Sequence, residues 1–196
     1  MGMAATSDRP ATRRFTADEV WRMVEIGLLD PDEPYELING ELLYVSPQNQ
    51  PHVNAIVELN AHLGHRYGLE YRVMVQGPVG GIVDSIPEPD LVVFPRTVAA
   101  DDRPVRADEL LLLIEVSGTS VRHDIDKAAI YAAAGAPEYW RVDLNERIVH
   151  VHRHPQAGGN WRETHQIGLA GMLTLPGIEA TIAVSDILAP RRSPTP

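Results

Sequence analysis

The chain contains a single lysine, Lys127, and two acidic residues set in apolar segments upstream of it. Of the 17 Lys and Arg residues, only Lys127 is a lysine, although either type serves surface solubility. Asp90 begins the apolar stretch 91–94, and Glu115 directly follows the apolar stretch 111–114. A lysine ammonium is a compact charge whose pKa responds to its surroundings, whereas a guanidinium stays protonated. The three residues therefore predict a catalytic site.

That chemistry is metal-assisted cleavage of a phosphodiester. If the segments that carry Asp90 and Glu115 are neighbouring strands, both carboxylates emerge at one edge of a sheet. Mg²⁺ takes oxygen ligands at about 2.0–2.1 Å and needs only one or two carboxylates besides water and phosphate. Such an ion polarises the phosphate and lowers the pKa of the attacking water, and Lys127 can stabilise developing charge. We predict a Mg²⁺- or Mn²⁺-dependent nuclease that prefers DNA to RNA.

Composition limits the alternatives. The 196 residues are 44% hydrophobic and 22% charged, which is typical of one globular domain. The chain has no cysteine, which excludes thiol catalysis and cysteine-ligated zinc. It has no run of about 20 apolar residues and no secretory signal, so we expect a cytoplasmic protein without a membrane partner. The net charge of −10 argues against a broad nucleic-acid surface but agrees with a carboxylate-rich metal site.

The order of predicted elements indicates a single α/β domain with a mixed sheet. Residues 1–14 and 189–196 are small and polar, so we expect disordered tails around a domain at 15–188. Thr16 and Glu19 form a predicted capping box, and Asn39-Gly40 predicts a hairpin turn. We predict helices at 17–28, 52–67 and 121–134, with Ser120 as the cap of the last one. We predict strands at 35–38, 41–45, 71–75, 79–83, 90–94, 109–116, 138–142, 148–152 and 161–167, with a closing β-segment at 175–184.

The spacing of the acids resembles that of the PD-(D/E)xK nuclease superfamily. The matching residues are Pro89-Asp90 and Glu115-Val116-Ser117. Ser117 stands where that superfamily usually has its lysine. Some branches carry the lysine on the following helix, and Lys127 lies in the first turns of that predicted helix. The resemblance implies the restriction-endonuclease-like fold, with helices flanking a central mixed sheet.

More closely, the chain is similar to the bacterial Uma-two family of endonucleases over residues 16–188. The resemblance implies metal binding by Asp90 and Glu115, with Lys127 positioning water or phosphate. The superfamily often adds an acid from an early element, and Glu41 matches the family best, so we expect Glu41 as a third ligand. The matching stretches are 35–42, His52 at a helix start, 87–93, 113–120, 124–127 with 131–135, 137–143 and 175–178.

Other residues are weaker candidates. Glu36 is an alternative to Glu41, and Glu58 on the second helix is a further one. His52 has a side chain that titrates near neutral pH and is a possible auxiliary residue that positions substrate or transfers a proton. Ser117 is a second auxiliary candidate because of its place in the motif.

Three further predictions concern a histidine pattern, the oligomeric state and a competing function. His150, His152 and His154 alternate and therefore share one strand face, which we interpret as a solvated edge rather than a metal site. We expect a homodimer, because two sites related by a two-fold axis suit a duplex, with contacts through the first helix and the hairpin at 35–45. The competing hypothesis is a catalytically silent protein that binds nucleic acid or regulates a partner.

Overall fold

A six-stranded mixed sheet organises the chain. The computed structural model describes residues 12–100, 102–118 and 127–188. The helices are α1 (Ala17–Glu25), α2 (Gln50–Tyr67), α3 (Lys127–Ala133 in its described part) and α4 (Val184–Ile187). The strands are β1 (Tyr35–Ile38), β2 (Glu41–Tyr44), β3 (Tyr71–Val75), β4 (Val79–Gly80), β5 (Leu91–Pro95), β6 (Val105–Arg106), β7 (Leu112–Ser117), β8 (Glu138–Asp143), β9 (Ile148–Gln156), β10 (Asn160–Gly168), β11 (Met172–Thr174) and β12 (Thr181–Ala183).

The order of the main sheet brings the two acidic segments together. Its strands run β10-β9-β8-β7-β5-β3. β5 pairs with β7 antiparallel, with Leu91 opposite Ile114. Asp90 directly precedes β5 and Glu115 lies near the end of β7, so both side chains reach the same edge. β7 is parallel to β8, and α3 connects them, as a crossover between parallel strands requires.

Each face of the sheet has its own apolar core. α2 packs Ile56, Leu59 and Leu63 against one face, in a cluster that includes Trp140. α3 packs Tyr131 against the other face. Burying each large apolar side chain contributes about 1.5–3 kcal/mol, so these contacts fix both helices on the sheet. The α3 face also carries Glu115, and α3 therefore projects side chains toward that carboxylate.

The N-terminal helix and hairpin form a third unit beside the sheet. Thr16 accepts a hydrogen bond from the Glu19 amide, which confirms the predicted capping box. Asn39 and Gly40 both have positive φ, at 49° and 80°, which gives the expected hairpin turn between β1 and β2. The hairpin then docks through Leu37, whose carbonyl accepts a hydrogen bond from the Ile86 amide at 2.7 Å. This contact holds β1 next to the segment that leads into Asp90.

Several predicted bounds differ from the structure. The strand expected at 79–83 is only two residues long, and residues 107–109 form a 3-10 turn before β7. β9 extends to residue 156 and lies between β8 and β10, so the expectation of a solvated edge was wrong. Arg13, in the expected tail, forms an ion pair with Glu19. Some predictions lie outside the described residues, which exclude 1–11, 119–126 and 189–196. These predictions are the outer parts of both tails, the cap at Ser120 and the start of the third helix.

Among the helices that the structure describes, none is long and apolar enough to cross a membrane.

Candidate active site

Asp90 is the buried acid at the start of β5. The residue is only 5% exposed. Oδ2 accepts a hydrogen bond from the Val116 amide at 2.7 Å and lies 3.2 Å from His52 Nε2. Oδ1 accepts a longer hydrogen bond from Gln48 Nε2 at 3.4 Å. The Val116 contact ties Asp90 to β7, so the backbone of the sheet orients the carboxylate beside Glu115.

Glu115 faces α3 from the neighbouring strand. Its Oε1 accepts hydrogen bonds from Lys127 Nζ at 3.1 Å and from Tyr131 Oη at 2.7 Å. Lys127 and Tyr131 are four residues apart and therefore share one face of α3. Burial raises the pKa of Glu115 to about 7, although the charge of Lys127 opposes this rise. Near neutral pH, Glu115 is therefore close to the point where a cation can replace its proton.

Lys127 bridges two carboxylates. Its Nζ lies 2.8 Å from Glu36 Oε2 and 3.1 Å from Glu115 Oε1. Burial alone would lower the pKa of Lys127, but the charges of Glu115 and Glu36 outweigh burial and raise it above its ordinary value. The ammonium is thus a fixed positive charge and not a base. The hydroxyl of Ser117, the other candidate from the motif, donates a hydrogen bond to the Val142 carbonyl at 3.4 Å.

The hairpin supplies Glu36, and not Glu41, to this cluster. Glu36 is buried, and one of its oxygens also accepts a hydrogen bond from the Glu88 amide at 3.3 Å. Glu41 lies at the turn end of the hairpin, where its half-exposed carboxylate forms an ion pair with Arg14 at 3.0 Å. The reason is the docking of β1, which turns its own acid inward and leaves Glu41 at the surface. Glu58 is exposed on α2. We therefore assign no metal-binding role to Glu41 or Glu58.

His52 lies at the start of α2 and contacts the same cluster through Asp90. Burial lowers the pKa of the imidazole, but the hydrogen bond and charge of Asp90 outweigh it, so the pKa of His52 lies above its ordinary value. Its Nδ1 is buried and has no hydrogen-bond partner within the described segments. The imidazole therefore holds one oxygen of the Asp90 carboxylate from the α2 side.

A cavity of about 650 Å³ opens from the cluster along the α3 face of the sheet. Glu115 and Lys127 line one part of it, and strands β8 to β10 line the rest. The strand residues include polar and aromatic side chains, namely Tyr139, Arg141, His150, His152, Asn160, Trp161 and Thr164. A second cavity of about 720 Å³ lies between α2 and β3, but none of the described residues that line it carries a carboxylate. The cavity beside Glu115 is therefore the one with the groups for hydrolysis.

The cluster can hold a divalent cation with two protein carboxylates. Glu36, Asp90 and Glu115 place three acids around the single cation Lys127 and the titratable His52. Within the described ranges, the one group of three possible metal ligands whose atoms all lie within 4.8 Å of one another is elsewhere, around Asp143. Mg²⁺ needs only one or two carboxylates when water and phosphate complete its coordination, and Asp90 and Glu115 offer such a pair.

Two contacts of this site were not among the predicted site residues. Tyr131 donates to Glu115, and its position four residues after Lys127 was a readable signal for a shared helix face. Gln48 donates to Asp90 from the loop before α2. Nothing in the sequence marks Gln48, because its contact depends on how that loop packs against the sheet.

Comparison with known proteins identifies the family and the fold. The model of the Uma2 family, described as "Putative restriction endonuclease", matches residues 21–185. A solved structure from Anabaena variabilis ATCC 29413, described as a "putative nuclease belonging to DUF820", superposes with a TM-score of 0.69 at 18% identity. That match covers 88% of this chain and 97% of the other. The type IIG restriction endonuclease BpuSI gives a TM-score of 0.39 at 20% identity, over 76% of this chain and 17% of the other.

A search of curated proteins found no match. The BpuSI similarity is too low to carry an argument. The Anabaena structure, which the chain matches over nearly its whole length, confirms the restriction-endonuclease-like fold. The family match spans most of the chain and includes Asp90, Glu115 and Lys127. The chain therefore belongs to the Uma2 family.

Proposed function

We propose that this protein is a metal-dependent endonuclease that hydrolyses phosphodiester bonds, with DNA as the preferred substrate. The observation that carries the proposal is the register of β5 and β7, which sets Asp90 beside Glu115 with Lys127 Nζ at 3.1 Å from the latter. The family description and the fold support the same reaction class. A cytoplasmic location, where cellular DNA is accessible, is part of the proposal.

Asp90 and Glu115 are the proposed ligands of Mg²⁺ or Mn²⁺. The Val116 amide and β-sheet pairing hold Asp90 in place, so little reorganisation accompanies binding. The hydrogen bonds from Lys127 and Tyr131 both fall on Oε1 of Glu115, and we assign Oε2 to the metal. When bound, the cation supplies Lewis acidity and lowers the pKa of an attacking water.

Lys127 is the proposed electrostatic group at the phosphate. Because Glu36 and Glu115 keep it protonated, it acts as a positive charge and hydrogen-bond donor to a phosphate oxygen or to the attacking water. Glu36 positions Lys127 from the hairpin, and Tyr131 positions Glu115 from α3. His52 positions Asp90 from the start of α2.

The competing function is a catalytically silent protein that binds nucleic acid or regulates a partner. Two observations favour it, namely Ser117 at the usual lysine position and the net charge of −10. Calorimetric titration with Mn²⁺ separates the two functions, with Asp90→Asn as the test variant and Glu58→Gln on the exposed face of α2 as its control. We expect the wild type and Glu58→Gln to bind Mn²⁺ and Asp90→Asn to lose this binding.

Cleavage assays should then compare double-stranded DNA, single-stranded DNA and RNA with Mg²⁺ and with Mn²⁺. We expect cleavage of DNA by the wild type and by Glu58→Gln. If the wild type binds no Mn²⁺, or if Asp90→Asn binds it unchanged, the silent function is correct.

We also propose a homodimer that forms through α1 and the hairpin. Large apolar side chains are exposed just after α1, namely Ile26 at 60% and Leu28 at 67%, and at the end of the hairpin, namely Tyr44 at 74%. Surface aromatic and aliphatic residues grouped in one region are typical of interfaces. Light scattering at micromolar concentration should give twice the 21.6 kDa monomer mass, and Leu28→Glu should reduce it to one. A monomeric wild type contradicts the dimer without affecting the proposed chemistry.

A further inference from the structure

A second group of possible metal ligands lies at the turn between β8 and β9. Asp143 ends β8, Glu146 lies in the turn, and His150 follows on β9. One ligand atom from each residue lies within 4.8 Å of the others. Arg141 is opposite both Glu115 on β7 and His150 on β9, so this group is on the same sheet and face as Glu115 but two strands away from Asp90.

His150 has an unsatisfied nitrogen. The residue is 8% exposed, and its Nε2 is buried without a hydrogen-bond partner among the residues that the structure describes. A buried polar atom without a partner costs about 1–3 kcal/mol, and such an atom commonly marks a place for a water molecule or an ion. Burial and the charge of Arg141 lower the pKa of His150.

The two carboxylates of the group are already placed. Asp143 Oδ1 accepts hydrogen bonds from the amides of Asn145 at 3.0 Å and Glu146 at 2.9 Å, which fix its orientation. Its Oδ2 lies 3.2 Å from Arg141 Nη1. Glu146 is exposed and can adjust its rotamer. In a tetrahedral zinc site, ligand atoms about 2.1 Å from the metal lie about 3.4 Å from one another. The ligand atoms of this group lie within 4.8 Å of one another, so a rotamer change of Glu146 that brings them up to about 1.4 Å closer would complete the site.

We propose that Asp143, Glu146 and His150 form a second cation site, which takes Zn²⁺ and binds Mn²⁺ much more weakly. One imidazole with two carboxylates suits Zn²⁺, whereas Mg²⁺ prefers oxygen ligands only. The site differs in this respect from the Asp90–Glu115 pair. A bound ion would cross-link β8 and β9 at their turn and would fix His150 and Arg141, which line the cavity beside Glu115. The proposal does not depend on the nuclease function.

Calorimetry with Zn²⁺ tests the site in an Asp90→Asn background, which removes the first pair of ligands. We expect one remaining Zn²⁺ site that excess Mg²⁺ does not displace. Glu146→Gln should weaken it at least about tenfold, as loss of a metal ligand or its support does. Glu58→Gln is the matched control, because it makes the same change at another exposed glutamate and should leave Zn²⁺ affinity unchanged. Circular dichroism confirms that each variant is folded.

A second measurement identifies the histidine. In a long-range ¹H–¹⁵N spectrum, Zn²⁺ should shift His150 Nε2 and leave His52 unchanged. The main rival is a surface pair of histidines on β9 and β10, since Glu163 lies 3.6 Å from His154 and 3.8 Å from His165. Zn²⁺ affinity lost in Glu163→Gln but retained in Glu146→Gln would overturn the proposal, and so would the absence of Zn²⁺ binding in the Asp90→Asn background.

Discussion

Two acidic groups lie on one face of the main sheet, and they differ in how their negative charge is balanced. Beside Glu115 the balance is internal, because Lys127 bridges Glu115 and Glu36 and His52 contacts Asp90. Beside Asp143 the ion-pair partner is Arg141 on the same strand, and the third member, His150, has a buried nitrogen without a hydrogen-bond partner among the described residues. The first group has the charges for hydrolysis at a phosphate, and the second has the mixed nitrogen and oxygen ligands of a transition-metal site.

Removal of one carboxylate should have the largest effect and should separate the two groups. Asp90→Asn and Glu115→Gln each keep the side-chain volume but remove a charged ligand. We expect cleavage to fall on the order of 10²–10³-fold, as when a single group that stabilises transition-state charge is lost. Mn²⁺ binding at this pair should be lost, while Zn²⁺ binding at the β8–β9 turn is retained. Loss of both ions together would show that the two groups are one site.

Substitution of Lys127 should have the next largest effect, because its ammonium bridges the carboxylates of Glu36 and Glu115. Lys127→Arg keeps the charge but replaces a compact ammonium group with a broad, planar guanidinium group. We therefore expect cleavage to drop on the order of 10²-fold, with Mn²⁺ binding retained. Lys127→Ala should also destabilise the fold by about 3 kcal/mol, since it leaves two carboxylates buried without their partner. Urea denaturation measures that loss, and an Arg variant that cleaves at the wild-type rate contradicts the assigned role.

The pH dependence of ion binding sharpens the comparison further. Because the pKa of Glu115 is about 7, Mn²⁺ must displace a proton below that pH, and we expect its affinity to rise up to about tenfold per pH unit and level off above pH 7. The pKa of His150 is below its ordinary value, so Zn²⁺ affinity should level off at lower pH. Calorimetry from pH 5.5 to 8 compares the two curves. Coincident curves would contradict the assignment of different ligands.

The raised pKa of Glu115 also predicts how the stability of the fold changes with pH. A carboxyl group whose pKa rises on folding binds more protons in the native state, so the metal-free protein loses stability as pH rises from about 4.5 to about 7. His52 acts in the same direction, because its pKa is also raised in the folded state. Glu115→Gln should flatten this slope in urea denaturation measured across that pH range. An unchanged slope in the variant would show that another group is responsible.

The sequence predicted the elements that depend on local signals. The capping box at Thr16, the hairpin turn at Asn39-Gly40 and the helix over 52–67 each rest on residues close in the chain. The approach of Asp90 to Glu115 was also predictable, because each acid flanks an apolar strand and the two strands follow one another closely. Because Lys127 is the single lysine in the sequence, it was predicted to act together with Glu115, and the two side chains are in contact. The helix cap, the turn residues and the hydrophobic pattern all favour the same fold, as expected for a sequence that specifies one structure.

The features that could not be predicted depend on contacts between distant segments. Whether β1 turns Glu36 or β2 turns Glu41 toward the site is decided by the docking of Leu37 against Ile86, which no local pattern encodes. The burial of His150 follows from the position of β9 between two strands, whereas its alternation with His152 fits an edge strand equally well. In both cases the period of two gives the shared face but not the neighbour that covers it.

The two hairpin acids repeat the comparison at the smallest scale, and they provide the last prediction. Glu36 is buried against Lys127, and Glu41 is half exposed against Arg14. An exposed ion pair contributes about 0–1 kcal/mol, so Glu41→Gln should change the free energy of unfolding by less than about 1 kcal/mol and leave cleavage at the wild-type rate. Glu36→Gln should lower cleavage, because Lys127 loses one of the charges that hold it in place. Equal cleavage by the two variants would mean that the hairpin contributes stability to this fold and no positioning to its site.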